Sequence, residues 1–410
     1  MSKLRSGGQR STGGGAEPAP RHGAGADAVA RARGVLELLG AAAGRIEAGR
    51  ALPEDVVAAL HEARMFRLLL PRSLGGDELH IKTLAQVTET IASADASTAW
   101  CMGQGAGCAM SAAYLKPEVA RRFFGPADAV LAWGAGIQGK AVAVDGGYRV
   151  TGKWMFASGC ANATLLGGHS YVFEKDGTPR KRADGSSADR TVLLVKSKAQ
   201  IEDMWHTLGL RGTASYTYQV TDLFVPEEET IDRDRPEGRV ETGTLYLFPT
   251  TLAYAAAFSG LMLGIAQGLM TELKALAMKK TPRGAASSLK ESAVFQSQLA
   301  VLEAKLRASR AYLHTTLDDL WDKVERTREL TTEDAADLKL ATTYAINQGV
   351  EVATEAYRAA GNNAIFPSGP FERRLRDAMS ASQQTQGRPS NYITIGRVML
   401  GLPPDTVFLG

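Results

Sequence analysis

The chain has 410 residues, 44% of them hydrophobic and 22% charged, the balance of an ordinary soluble protein long enough for two or three domains. Its 47 basic and 44 acidic residues give a net charge of +3, and the first 25 residues account for it, with Lys3, Arg5, Arg10 and Arg21 against Glu17. The neutral remainder argues against a nucleic-acid partner.

Residues 1–25 are rich in Gly, Ser, Pro and Arg and carry too little apolar surface to order themselves, so a disordered tail is expected. They contain no apolar stretch of the kind a secretory signal needs. Residues 26–125 read as an N-terminal α-helical domain. Ala28, Ala32, Val35, Leu36 and Leu39 share one helical face. Pro53 opens a second helix carrying Val56, Val57, Leu60 and Ala63. Residues 71–76 break the chain, residues 81–94 resume a helix, and Ser97 or Thr98 is placed to cap the next.

Residues 126–236 change period from 3.6 to two and read as a central β domain. Strands are expected at 141–144, 148–151, 191–195 and 219–225, a hairpin turn at Gly146-Gly147, and an exposed polar loop at 174–190. Residues 237–410 return to long helical patterns, including 295–324 and 332–359, the second stopping at Gly361. The apolar run 251–270 is long enough to suggest a membrane span. However, it contains Ser259 and Gln267, lacks a cationic belt, and places Gly260, Gly264 and Gly268 four residues apart. A buried helix closely approached by another is the expectation, with no membrane contact.

Cys101, Cys108 and Cys160 show no CxxC spacing, which argues against disulfides and cysteine zinc sites and fits a reducing cytoplasm. No two of the six histidines stand four apart as a helical metal site requires, so no metal is expected. Gly134-Ala-Gly-Ile-Gln-Gly139 matches GxGxxG, but a strand-like segment follows where a dinucleotide fold would open a helix. A glycine-rich loop lining a cofactor pocket beside Trp133, with Gly136 in it, is the reading instead. Ser158 sits in Ala-Ser-Gly rather than GxSxG, so a hydrolase elbow is not supported. Arg211-Gly-Thr-Ala-Ser215 offers one cation and the hydroxyls of Thr213 and Ser215, which suit an anionic ligand edge. The basic loop Lys279-Lys-Thr-Pro-Arg283 carries a weaker phosphate reading. The stretch Gly152-Lys-Trp-Met-Phe-Ala-Ser-Gly159 combines aromatic rings, small residues and one hydroxyl, a set that suits a flat ring with a polar edge, such as a flavin.

Taken together, Pro71-Arg-Ser-Leu-Gly-Gly76, Ser93-Ala-Asp-Ala-Ser97, Gly146-Gly-Tyr-Arg-Val-Thr-Gly-Lys-Trp154, Leu208-Gly-Leu-Arg-Gly-Thr213 and Arg373-Arg-Leu-Arg-Asp377 resemble the acyl-CoA dehydrogenase superfamily over nearly the whole length after the tail. The resemblance implies an α+β fold: an N-terminal α-helical domain, a central β-barrel or sandwich domain and a C-terminal four-helix bundle, in a homotetramer around flavin. Dehydrogenases of the family commonly take their base from a Glu following the Arg-Asp helix. Here that region reads Arg376-Asp-Ala-Met-Ser-Ala-Ser-Gln-Gln384, without a carboxylate at the matching place. Trp154-Met-Phe-Ala-Ser-Gly159 and Gly396-Arg-Val-Met-Leu-Gly-Leu402 instead resemble the two-component flavin-dependent monooxygenases, the group D hydroxylase and nitrososynthase-like branch.

That branch implies a separate NAD(P)H flavin reductase, reduced FMN or FAD, O2, and oxygen transfer from a C4a-hydroperoxide to a small-molecule substrate. The resemblance carries Ser158 to the flavin N5 position. It carries Trp133, Gly136, Trp154, Phe156, Arg211 and Thr213 to the cofactor pocket, and Cys108 and Gln384 to the substrate side. The aromatic hydroxylases of the branch use histidines where this chain has Cys108, Met379 and Gln384. Phenol hydroxylation needs a base to activate the ring, and neither a thiol nor an amide serves well. An indole-like ring, an amine or a sulfide needs no such base and is the expected substrate class. The alternatives are an acyl-CoA dehydrogenase or oxidase on the same fold, or a flavin-binding member without catalysis.

Overall fold

Residues 21–405 are described by a computed structural model, with side chains from residue 25 onward. The helical expectation for the first part holds. α1 (Arg21–Gly34), α2 (Leu36–Gly49), α3 (Glu54–Glu62), α4 (Ile81–Ala94), α5 (Ala96–Ala109) and α6 (Pro117–Phe124) precede the first strand. α1 starts at Arg21, so the last five residues of the expected tail are helical, and residues 1–20 lie outside the described residues. Pro53 stands just before α3, as its fixed φ favours. The cap of α5 differs from expectation. Asp95, not Ser97 or Thr98, accepts from the Thr98 N–H at 2.7 Å and also from its hydroxyl. Ser97 is thereby free to accept from the Gly212 N–H.

Eight strands follow: β1 (Leu131–Trp133), β2 (Gly139–Val144), β3 (Gly147–Ala157), β4 (Leu165–Phe173), β5 (Asp189–Val195), β6 (Gln200–Glu202), β7 (Tyr216–Pro226) and β8 (Thr230–Ile231). Hydrogen bonding joins them in one mixed sheet of order β6-β7-β3-β2-β4-β5-β8, with β1 added parallel to β4. The β2–β3 hairpin turns at Gly146, whose φ of +76° is the left-handed conformation that glycine adopts without strain. The polar loop after β4 folds back on itself. Arg182 in it reaches Asp189 and Asp232 at 2.9 and 2.7 Å.

The C-terminal part is α7 (Thr250–Ala277), α8 (Ala293–Thr327), α9 (Thr332–Ala360), α10 (Pro370–Ala381) and α11 (Asn391–Met399). α7 has the length and hydropathy of a membrane span, yet 94% of its apolar window is buried inside the protein. It packs on α4, α5, α9 and α10, so the N-terminal helices and the bundle share one core. Its glycines explain the closeness. A Cβ at Gly260 or Gly264 would overlap the backbone carbonyl of Ala85 or Glu89 on α4, and one at Gly268 would lie 2.5 Å from Arg374 on α10. The basic loop after α7 ties helix ends together through Lys280, which donates to the Ala360 carbonyl at 3.0 Å.

Candidate active site

The end of β3 sets the site. Its pairing with β7 slips between Trp154 and Ala157, leaving Met155 and Phe156 as a bulge. Phe156 has φ +64°, a strained conformation for an aromatic residue. The bulge turns Met155 and Phe156 outward, 47% and 55% exposed, and lets Ser158 point inward at 7%. Trp205 meets the Phe156 ring edge-on at 6.1 Å.

Ser158 belongs to a row of hydroxyls with a single direction. Thr213 Oγ1 donates to the Leu210 carbonyl at 2.9 Å, which commits its only proton. Ser215 Oγ, 2.7 Å away, therefore donates to Thr213, and Ser158 Oγ, 2.7 Å further on, donates to Ser215. Trp100 Nε1 donates to Ser158 Oγ at 2.9 Å. Ser158 thus keeps one lone pair and no free proton. The row is anchored at its far end, because the Leu210 N–H donates to buried Asp377 of α10 at 2.6 Å. α10 also holds the neighbouring backbone: Ser380 accepts from the Gly209 N–H at 2.9 Å and Arg376 donates to the Leu208 carbonyl at 2.7 Å. Burial pushes the Asp377 carboxyl up to about 7.

From Ser158 an aromatic stripe runs along α7. Trp100 stacks on Phe258 with centroids 4.2 Å apart, and Phe258 on Tyr254 at 5.7 Å. Cys108 closes the stripe. Its Sγ lies 3.2 Å from the Tyr254 hydroxyl, and Gly107 leaves the room the Tyr254 ring needs. Burial pushes the Cys108 thiol up to about 12 and the Tyr254 phenol well above its ordinary value. His169, whose Nδ1 is 2.7 Å from Thr191 Oγ1, is held well below its ordinary value by burial.

Ser158 and Thr213, singled out from sequence, are therefore brought together through Ser215. Cys108 and Gln384 line the far end of the stripe and the turn before α11 respectively, Gln384 Oε1 accepting from the Gln386 N–H at 2.7 Å. Gly136 is exposed at φ +74° in the loop before β2, and Trp133, 3% exposed, faces His169 at 4.9 Å. Arg211 pairs with Glu47 at 3.3 Å, and Glu47 also binds Arg376 at 2.8 Å.

Trp154 corrects the sequence reading. It does not wall a ligand: it is fully buried inside the sheet, stacked on Tyr218 at 5.3 Å, with Nε1 bonded to the His169 carbonyl at 2.9 Å. Gly139, Gly152 and Gly168 form the slot for its indole, since a Cβ at any of them would stand 2.5 Å from a ring carbon. Gly134 packs against Trp154 Cβ in the same way. The outer glycines of the GxGxxG match therefore serve the packing of one side chain, and β2 follows where a dinucleotide motif would need a helix. Sequence reasoning passed over Trp100, Tyr254 and Phe258. The pair Tyr254 and Phe258, four apart in a mostly aliphatic run, was the available signal for those two.

A family model described as "Acyl-CoA dehydrogenase, C-terminal domain" matches residues 256–386. The chain is 28% identical over 375 residues to indole-3-acetate monooxygenase of Acinetobacter baumannii, covering 90% of this chain and 92% of that one. It is 27% identical over 394 residues to the oxygenase component of FADH(2)-dependent resorcinol hydroxylase of a Rhizobium species, covering 92% and 94%. The acyl-CoA dehydrogenase resemblance read from sequence is thus matched by a family model over residues 256–386. The structure of XiaF from a Streptomyces species in complex with FADH2 and glycerol superposes with a TM-score of 0.87 at 22% identity, covering 94% and 98%. The acyl-CoA dehydrogenase-like fold expected from sequence is thus present over the described residues. Within it, α5, β3, β7 and α7 bring the hydroxyl row and the aromatic stripe together.

Proposed function

We propose that this protein is the oxygenase component of a two-component flavin-dependent monooxygenase that oxygenates an indole-like aromatic substrate in the cytoplasm. The observation that carries this reading is the one-directional hydroxyl row ending at Ser158 beside an aromatic stripe that offers no base titrating near neutral pH. The relatives support it, being named as monooxygenases or as an FADH(2)-dependent oxygenase component.

The residues at the β3 bulge fit a reduced flavin. Ser158 retains a lone pair suited to the N5–H of a reduced ring, while exposed Met155 and Phe156 beside it offer apolar area to a flat ligand. Thr213 and Ser215 hold Ser158 in this acceptor role, and Gly136 and Arg211 would contribute at the rim. Reduced FMN or FAD, delivered by a separate NAD(P)H flavin reductase, supplies the activation of O2. The chain's own part is to orient and to exclude water. Trp100 fixes Ser158, and Trp100, Phe258 and Tyr254 give the substrate ring an apolar wall. Cys108 stays a neutral thiol and takes no proton from substrate, which favours a ring that is nucleophilic without deprotonation. A homotetramer is the proposed assembly.

The test supplies the protein with a flavin reductase, NADH, FMN or FAD, and ¹⁸O2, with indole as substrate. The expected result is one ¹⁸O atom in the product by mass spectrometry. Quantitative hydrogen peroxide with no labelled product would refute the reading. A tightly bound oxidised flavin bleached anaerobically by an acyl-CoA would establish the dehydrogenase instead.

A further inference from the structure

The turn that carries Thr213 is strained and is wedged between three helices. Leu210 and Ala214, on either side of residues 211–213, have φ +52° and +43°, left-handed values that a side chain disfavours. A Cβ at Gly209 would overlap the Arg376 carbonyl of α10, and one at Gly212 would overlap Ile46 of α2 and crowd Ser97 of α5. Asp377 of α10 accepts from the Leu210 N–H. The Leu210 carbonyl in turn accepts from the Thr213 hydroxyl and the Trp205 indole, both at 2.9 Å.

A second buried carboxylate serves the other partner of Ser158. Asp95 caps α5, the helix that carries Trp100. Asp95 and Asp377 are both buried, and the Asp95 charge adds to burial in raising Asp377. Asp95 accepts from two Thr98 donors and is favoured by Arg373 and Arg374, so it ionises first and leaves the proton on Asp377. Other charged groups stand around the pair. Glu47 of α2 also raises Asp377 and is itself paired with Arg211 and Arg376. Glu272 of α7 acts on Arg374, whose Nε has no hydrogen-bond partner. Burial pushes the Cys101 thiol of α5 up, so it stays neutral. Ionisation of Asp377 therefore sets a second negative charge against Asp95, and the repulsion acts between the helix that holds the turn and the helix that holds Trp100.

We propose that Asp95 and Asp377 are positioning residues that hold Ser158 through Trp100 on one side and through Leu210, Thr213 and Ser215 on the other, and that this hold loosens when Asp377 loses its proton. The folded chain prefers the protonated form, so the hold is firm in mild acid and weakens as pH rises through about 7. Only the consequence for flavin rests on the oxygenase reading.

Amide hydrogen exchange of the full chain, read by mass spectrometry over residues 208–216, follows the turn without turnover. Wild type and Asp377→Asn are compared at the same pH, which cancels the intrinsic pH dependence of exchange. At about pH 5.5 the two are expected to exchange alike. At about pH 8.5 the wild type is expected to exchange about tenfold faster or more, within the roughly thirtyfold limit that about 1.5 pH units above the midpoint allow. Asp95→Asn, whose amide oxygen still accepts from the Thr98 N–H, is expected to move the transition to lower pH. Equal exchange of wild type and Asp377→Asn at the higher pH, or a midpoint unmoved in Asp95→Asn, overturns the proposal. Hydrogen peroxide released per NADH is expected to rise with pH more steeply in the wild type than in Asp377→Asn, and an equal rise in both also counts against it. A pH-dependent turn in a chain that binds no flavin would sink the oxygenase reading and leave the positioning pair standing. Matched exchange in a chain that couples NADH to product would do the reverse.

Discussion

At the residue scale, Ser158 holds two hydrogen bonds and carries the proposed flavin contact. Ser158→Ala leaves the Trp100 N–H and the Ser215 oxygen without their partner, which costs about 1–3 kcal/mol of stability. The same change is expected to raise hydrogen peroxide released per NADH consumed and lower product; unchanged coupling would remove Ser158 from the mechanism. Asp377 makes a second prediction. Burial raises its carboxyl from an ordinary value near 4 to about 7. The native state therefore holds this proton more tightly than the unfolded chain. The resulting stability is fully present below about pH 4 and is lost as pH rises through about 7. Three units correspond to about 4 kcal/mol. Asp377→Asn, whose amide oxygen can still accept from Leu210, should match the wild type in melting temperature at pH 4 and exceed it at pH 8. A variant less stable at pH 8 would show that the ionised form is preferred.

At the element scale, the packing of α7 on α4 decides whether the N-terminal helices and the bundle act as one body. Gly264→Ala drives a methyl group into the Glu89 backbone carbonyl, which cannot rotate aside. The expected loss is about 2–4 kcal/mol, read as a lower melting temperature in calorimetry. Gly44→Ala, where a Cβ inside α2 meets nothing within 4 Å, is the control without overlap and should not lower the melting temperature. This helix was legible in the sequence because its period, length and glycine spacing all agree. β4 was not: Gly167 and Gly168 interrupt its strand pattern, and their small size is needed by Trp133 and Trp154, residues distant in the chain. The resemblance carried Trp154 to the cofactor pocket, whereas the bulge that follows it turns only Met155 and Phe156 outward. Likewise, Ser97 and Thr98 look as able as Asp95 to cap α5 until Gly212 claims Ser97. The hydroxyls of the site were visible as a motif; their order and direction depend on α5, β3 and β7 meeting, which no local pattern encodes.

At the scale of the whole molecule, several large apolar side chains remain outside. Val294 and Val301 on α8, and Ile393 and Leu400 around α11, are 80%, 53%, 62% and 79% exposed. Such surface on bundle helices suits burial between subunits. Light scattering should give four chain masses for the wild type and fewer for Ile393→Asp combined with Leu400→Asp; a monomeric wild type would refute the tetramer. The buried slot of Trp154 has an optical consequence. The chain has five tryptophans, and this one is sealed inside the sheet with its N–H bonded, while Trp100 stands at the proposed ligand site with its N–H on Ser158. Trp154 emission should stay constant and blue-shifted while Trp100 responds to an arriving ring. The fold thus contains its own reference fluorophore beside its own reporter, and Trp100→Phe should diminish the ligand-dependent part of the spectrum while leaving the Trp154 part unchanged.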